Sequence, residues 1–355
     1  TRPGRGVALL AAMALMLGTL ASVNLWELPT YLGLGVVAFA MSQYRHRGRI
    51  SWGLTIAFGL FYLLAAYGAF WPFFHAYENV GASGVGFVRA GDEPGRWLLI
   101  WGIFLFILAS WLLYTAQHPL ARDPQDGSRP TGLQRAVGLA FRYFDRLPRL
   151  IDLHSKLVSR SSIGYRIGLW LVPAGLVAGL LLIFVDRTVL AVCLPWLALG
   201  TVMLWRRGHV ADPGTQFVAL LTTTGFAILA GTQVVYLKDF LQGGDWYRMN
   251  TLFKFFSQVW VIWAMAAGIA LPELWRGWVR QPADGTPRSW WNWRSAWAGG
   301  LLVLLAAGLA YPLFGTPARL EQRLMGWQPA FGTLNGLDYM RDGSYSWPDD
   351  SNMIE

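Results

Sequence analysis

The stretch DWYRMNTLFKFFSQVW, residues 245–260, runs a charged and aromatic loop directly into an apolar helix. If the helix starts near Arg248, then Asn250, Lys254 and Gln258 fall at i, i+4 and i+8 on one face. At about 1.5 Å per residue this polar stripe descends roughly 12 Å along the helix. Ionisable groups at such a depth are costly in lipid and normally face a cavity or a bundle interior. The alternative is that Lys254 snorkels to the headgroups, which leaves the aligned Asn250 and Gln258 unexplained.

The composition is that of a polytopic membrane protein rather than a soluble domain. The 355 residues are 54% hydrophobic and only 14% charged, and they include 20 Trp. The single Cys193 lies in an apolar run, which excludes a disulfide framework and a Cys-based metal site, and the five His residues show no ligand spacing. The basic residues collect in alternate loops, which is typical of membrane topology and does not indicate nucleic-acid binding.

The hydropathy predicts an all-α membrane bundle of about nine transmembrane helices. Apolar runs that can cross roughly 30 Å of hydrocarbon lie near 7–23, 28–44, 51–71, 97–115, 166–185, 188–205, 214–236, 252–272 and 296–314. Spans one to four therefore fall in 1–115, and spans five to nine fall in 166–314. Residues 315–355 form a segment outside the membrane, and we expect the chain to be a fragment that lacks an N-terminal part and a C-terminal outer domain.

Loop charges test this number of spans. With the N-terminus and alternate loops in the cytoplasm, that side holds 20 of the 29 Lys and Arg residues. The opposite side holds 13 of the 20 acidic residues. Because a wrong number of spans would scramble the asymmetry, the pattern predicts an N-in, C-out topology.

The long cytoplasmic loop at 116–165 carries a helical pattern of its own. Between residues 133 and 158 apolar side chains recur at helical spacing and alternate with Arg135, Arg142, Arg146 and Arg149. This pattern predicts an amphipathic helix on the inner leaflet. A helix docked on the bundle is the alternative.

Polar residues that could bind a ligand or take part in catalysis gather in the predicted outer loops. Arg and Lys are the groups that hold a phosphate, and a carboxylate there could act as a general base or help to hold a divalent cation. The chain has no Walker loop, GxSxG elbow, HExxH or CxxC motif. The candidate catalytic residues are Asp245, Asp239 and Glu27, and the candidate substrate-binding residues are Arg248, Asn250, Lys254, Gln258, Trp26, Tyr31 and Gln233.

Four stretches resemble the YYY-domain family of polytopic membrane proteins. They are NLWELPTYL at 24–32, WGIFLF at 101–106, GTQVVYLKD at 231–239 and DWYRMNTLFKF at 245–255. The segment TLNGLDYM at 333–340 also fits that family. In the family pattern an acidic residue usually stands at the position of Gln233, and an Asp at that of Asn335, so the chain departs from it twice.

The YYY-domain family in turn resembles the GT-C superfamily of membrane glycosyltransferases. This likeness implies a transferase-like bundle whose site faces outward and takes a sugar from a polyprenyl-phosphate donor. Asp245, Arg248, Asn250 and Lys254 would then form the donor-phosphate or acceptor site, supported by Trp26, Glu27 and Asp239. The implied partners are the lipid bilayer and a lipid-linked sugar, and the implied location is the prokaryotic inner membrane.

Two other functions fit the same residues. A transporter or channel would extend the polar stripe of the eighth span toward the inner face. A non-catalytic scaffold for an outer domain would close the bundle and pair Lys254 with a carboxylate or with carbonyls.

Overall fold

The computed structural model of the chain describes residues 3–77, 84–117, 175, 177–207, 213–239, 244–279 and 293–324. These residues divide into two compact units, Thr1–Thr286 and Pro287–Glu355. The amphipathic helix predicted at 133–158, half of the predicted span at 166–185 and the segment after Leu324 lie outside the described residues.

The described part of the first unit is mostly helical, as predicted. Its helices and strands are α1 (Pro3–Val23), α2 (Glu27–Arg47), α3 (Trp52–Ala69), α4 (Trp71–Ala76), β1 (Gly84–Phe87), α5 (Pro94–Gln117), α6 (Thr188–Arg207), α7 (Pro213–Thr232), β2 (Val235–Lys238) and α8 (Met249–Leu274). A short 3-10 helix at Gly244–Trp246 precedes α8, and a π-helical turn at Trp275–Val279 follows it. Residues 177–184 are also helical.

The described residues of the second unit form one long apolar helix and its continuation. They comprise α9 (Trp293–Ala310), a π-helical turn at Tyr311–Gly315 and α10 (Thr316–Leu324).

Among the described residues, six helices are long and apolar enough to cross a membrane. They cover Gly6–Val23, Trp52–Ala69, Pro94–Ala116, Pro213–Thr232, Met249–Gly277 and Trp293–Gln322. The predicted span at 188–205 coincides with a shorter apolar helix, Thr188–Leu204. The predicted span at 28–44 coincides with α2, which is helical but less apolar. The all-α membrane architecture is therefore confirmed.

The predicted span at 214–236 ends earlier than the hydropathy indicated. Helix α7 stops at Thr232, and Val235–Lys238 form strand β2. β2 pairs antiparallel with β1, so that Gly84 lies opposite Lys238 and Phe87 opposite Val235. The β-branched Val234 and Val235 favour extended backbone, which explains why an apolar run left the helix.

Helix packing forms two groups that meet through α2. In the first, α1 packs against α2 and α3, with Leu17, Leu28 and Tyr62 in a shared core. In the second, α7 packs against α6 and α8, and α5 packs against α6 and α8. Contacts of α2 with α7 and α8 join the groups. Large apolar side chains such as Leu99 and Phe253 stay exposed, as expected for a surface that faces lipid.

Candidate functional site

One end of the first unit collects the ends of four helices and the β1–β2 ribbon. α5, α6 and α8 begin there, and α7 finishes there. These termini meet because α7 runs antiparallel to its neighbours α6 and α8, so that its end lies beside their starts. Most of the predicted site residues lie at this end.

A buried polar cluster, formed by Asp92, Gln233 and Arg248, ties three of these segments together. The Arg248 guanidinium forms an ion pair with the Asp92 carboxylate, and the two side chains are only 9% and 16% exposed. Gln233 Nε2 donates to Asp92 Oδ2 at 2.6 Å, and Gln233 Oε1 accepts from the Asp92 backbone N–H at 3.0 Å. Arg248 also donates to the carbonyl of Thr232 at 3.1 Å. Both predicted substrate-binding residues of the cluster thus have protein partners.

Arg187 attaches a fourth segment to the same place. Its guanidinium donates to the backbone carbonyls of Val88, Arg89 and Gln233 at 2.7, 3.0 and 3.0 Å. The preceding Asp186 has φ 64°, in the left-handed region, which turns the chain sharply before α6. No role was assigned to Arg187 from the sequence. The signal was a lone Arg at a membrane boundary.

Aromatic contacts hold the ribbon against the start of α8. The Tyr247 hydroxyl accepts from the Arg89 backbone N–H at 3.2 Å, and the Arg89 guanidinium lies 5.7 Å from the Tyr247 ring centroid. Tyr236 packs edge-on against Tyr247, with the two ring centroids 4.7 Å apart. Thr251 Oγ1 accepts from the Leu237 N–H at 2.9 Å. The loop before α8 is thereby fixed by contacts distant in sequence.

The polar face of α8, formed by Asn250, Lys254 and Gln258, lies on one helix as predicted. α8 begins at Met249, one residue after the predicted start, with Arg248 at its N-cap. Gln258 is buried and its Nε2 donates to the Trp26 carbonyl at 3.1 Å. The Trp26 ring lies 6.4 Å from the ring of Phe255. The turn between α1 and α2 therefore rests on α8.

That contact lies well below the start of α8. At about 1.5 Å per residue, Gln258 is roughly 14 Å along the helix from Met249. Asn250 and Lys254 lie above the α1–α2 turn on the same face, and both are half-buried. Among the described residues, neither side chain makes a hydrogen bond or an ion pair. Lys254 is thus a half-buried cation whose charge no described residue balances.

The α1–α2 turn, which meets Gln258 through the Trp26 carbonyl, also carries a carboxylate. Glu27 is half-buried and follows Trp26 directly. Its Oε1 accepts from Asn24 Nδ2 at a long 3.5 Å. Tyr31, one turn further along α2, packs against the core between α1 and α3.

Two further predicted residues lie close in sequence to the ribbon and to the start of α8. Asp239 is buried directly after β2. Asp245 lies in the 3-10 helix before α8, and its side chain is outside the described part. Within the described ranges, no group of three or more His, Cys, Asp or Glu side chains is placed to hold a metal ion.

Below Gln258 the same face of α8 becomes apolar. The next positions at intervals of four, Ile262, Ala266 and Ala270, are all buried and carry no polar group. Beside them, Trp263 Nε1 donates to the Thr222 carbonyl of α7 at 3.2 Å. The polar face is therefore confined to the first half of α8.

The comparisons with known proteins agree with a membrane assignment. The family model described as uncharacterized membrane protein (DUF2298) matches residues 2–263. This range includes the polar cluster, the α1–α2 turn and the polar face of α8. Neither the curated proteins nor the solved structures gave a match. Since the matched range covers most of the chain, this protein belongs to the DUF2298 family of membrane proteins.

Proposed function

We propose that this membrane protein is glycosyltransferase-like and acts at the outer face on a sugar linked to polyprenyl phosphate. The observation that carries the proposal is Lys254, a half-buried cation without a hydrogen-bond or ion-pair partner among the described residues. A cation held away from bulk water is stabilised by an anion. A lipid-linked phosphate is an anion that can reach this depth from the membrane.

The position of Lys254 supports entry from the lipid. Val261 and Met265, further along α8 on the same side as Lys254, are 52% and 51% exposed. Lys254 therefore lies at the border between the buried face, which includes Gln258, and an apolar exposed face. A polyprenyl chain could follow that apolar face while its phosphate meets the ammonium group.

Glu27 supplies the second group that a transfer needs. In the proposed reaction an acceptor hydroxyl attacks the anomeric carbon of the sugar and gives its proton to the Glu27 carboxylate. The bond between the anomeric carbon and the phosphate oxygen breaks, and polyprenyl phosphate leaves with that electron pair. Lys254 would stabilise the negative charge on the departing phosphate.

Arg248 and Gln233 take a supporting role in this proposal. The Asp92 carboxylate already balances the charge of Arg248. Gln233 hydrogen-bonds to both the carboxylate and the backbone N–H of Asp92. The three residues fix the start of α8, and thereby the helix that carries Lys254. This differs from the first expectation, in which Arg248 itself binds phosphate.

The alternatives receive less support from the same residues. A transport path along α8 needs polar groups beyond Gln258, where Ile262 and Ala266 are buried and apolar. A closed scaffold needs Lys254 to pair with a carboxylate or carbonyl, and it has no such partner among the described residues.

Binding in nanodiscs tests the proposal. We expect saturable binding of isotope-labelled polyprenyl-phosphate sugar to the full chain, and a loss of at least tenfold in affinity in Lys254→Ala. The matched control is Arg276→Ala, because Arg276 is an exposed cation in the π-helical turn that follows α8 and donates to the Pro272 carbonyl. Glu27→Gln should bind the donor and lose transfer. Equal binding by wild type and Lys254→Ala would refute the assignment.

A further inference from the structure

Gln258 has one amide atom satisfied and the other free. Its side chain is 2% exposed. Its Nε2 donates to the Trp26 carbonyl, whereas its Oε1 has no hydrogen-bond partner among the described residues. Buried polar atoms are nearly always hydrogen-bonded, so a free buried acceptor calls for an explanation.

The orientation of this amide follows from its partner. A backbone carbonyl can only accept, so the amide atom that faces Trp26 must be the nitrogen. The oxygen is therefore the atom left without a partner. Rotating the amide would place two acceptors against each other and would gain nothing.

The oxygen without a partner belongs to a residue one helical turn from Lys254. Gln258 is one helical turn from Lys254 on the same face of α8, which places their Cβ atoms roughly 6 Å apart. The face thus offers a cation for an anion and, one turn deeper, an acceptor for a hydrogen-bond donor. A simple phosphate ester of a hydrocarbon fills only the first of these positions.

We infer that the site selects a phosphate ester that carries a hydroxyl close to the phosphate, and that Gln258 Oε1 accepts from this hydroxyl. The inference rests on the proposed function, since Lys254 must hold the phosphate. A glycosyl phosphate has such a hydroxyl on the carbon next to the anomeric carbon. Gln258 would then be the residue that distinguishes a glycosylated lipid phosphate from the bare lipid phosphate.

The test compares two ligands on the same protein. The full chain in nanodiscs is titrated with polyprenyl phosphate and with the same lipid phosphate carrying one hexose. We expect wild type to bind the glycosylated ligand about tenfold more tightly, the value of one neutral hydrogen bond at the strong end of its range. Gln258→Met should remove this preference and leave the affinity for bare polyprenyl phosphate within about twofold.

A second variant separates selectivity from structure. Gln258→Glu and Gln258→Met both remove the amide that donates to Trp26, yet only Gln258→Glu keeps acceptor oxygens. Retained preference in Gln258→Glu together with lost preference in Gln258→Met supports the inference. If both variants lose the preference for the glycosylated ligand, the hydrogen bond to Trp26 determines that preference, and the inference is overturned.

Three further results have separate meanings. If neither ligand binds wild type saturably, the proposed function fails, and the inference fails with it. If both ligands bind wild type equally and Lys254→Ala abolishes binding, the phosphate site stands and the hydroxyl inference is wrong. If phosphatidylglycerol competes as strongly as the glycosylated ligand and Gln258→Met weakens both, the hydroxyl inference stands, but its source is a phospholipid headgroup.

Discussion

Arg248 and Lys254 are separated by only about 9 Å of helix, yet their surroundings give them different capacities. Arg248 is 8% exposed and paired with Asp92. Lys254 is half-buried and has no partner within the described part of the chain. The paired cation stabilises the fold, and in the proposed function the other one binds the phosphate of the ligand.

The pairing of Arg248 predicts a measurable effect on stability. Asp92→Asn should lower the free energy of unfolding by about 3 kcal/mol, because it leaves a buried guanidinium without its counter-charge. Reversible unfolding in mixed micelles measures this change. The matched control is Glu93→Gln: Glu93 is 62% exposed and pairs with Arg96 on the surface, so its loss should cost less than about 1 kcal/mol. Equal effects of the two substitutions would mean that the Asp92–Arg248 pair contributes no more than a surface ion pair.

The residues proposed for the site were only partly open to prediction. The spacing of Asn250, Lys254 and Gln258 predicted one helix face, and α8 contains all three. The partners of Arg248 and Gln258 were not predictable, because Asp92 and Trp26 lie far from α8 in sequence. Periodicity places a side chain on a face of its own helix and says nothing of what that face meets.

At the scale of elements, close packing of α7 against α8 fixes the helix that carries Lys254. A Cβ at Gly225 would lie 1.9 Å from Trp263 Nε1. The missing side chain lets the indole approach α7 and donate to the Thr222 carbonyl. Small residues allow such close approach of helices in membranes.

This contact predicts that Gly225 does not tolerate a side chain. Gly225→Ala should destabilise the protein by about 1–3 kcal/mol, because the added methyl displaces the Trp263 ring. The control is Gly231→Ala on the same helix, where an added Cβ meets no heavy atom within 4 Å and helix propensity favours Ala. Unfolding in mixed micelles compares the two. A stable Gly225→Ala variant would show that α7 and α8 adjust freely.

The ribbon shows why the end of α7 escaped prediction. Hydropathy alone extends the seventh span to residue 236, but β2 begins at Val235. A short apolar run such as residues 234–237 is compatible with helix and with strand. The pairing with β1 and the hydrogen bond from the Leu237 N–H to Thr251 Oγ1 stabilise the strand.

At the scale of the whole molecule, the proposed function requires a defined orientation in the membrane. The polar cluster, the ribbon and the start of α8 share one end of the first unit, and α2 carries Arg45 and Arg47 to the other end. The distribution of basic residues predicts that the second end faces the cytoplasm.

Cysteine labelling checks this orientation. The native Cys193 is buried, so wild type should stay unlabelled by a membrane-impermeant maleimide. Glu93→Cys, at an exposed position, should react in intact cells. Arg47→Cys, exposed at the far end of α2, should react only after the membrane is permeabilised. The reverse pattern would place the proposed site on the cytoplasmic face and refute an outward-facing transferase.

The class of protein, the approximate position of most of the apolar helices and the polar face of α8 were predictable from the amino-acid sequence. These properties depend on composition and on short-range periodicity, which act within one element. The balance of charges, in contrast, depends on how the helices pack. Asp92 neutralises Arg248 and Gln233 completes that cluster, while Lys254 and the oxygen of Gln258 stay without partners in the described residues. Whether a polar atom is satisfied depends on residues that meet only when the helices pack.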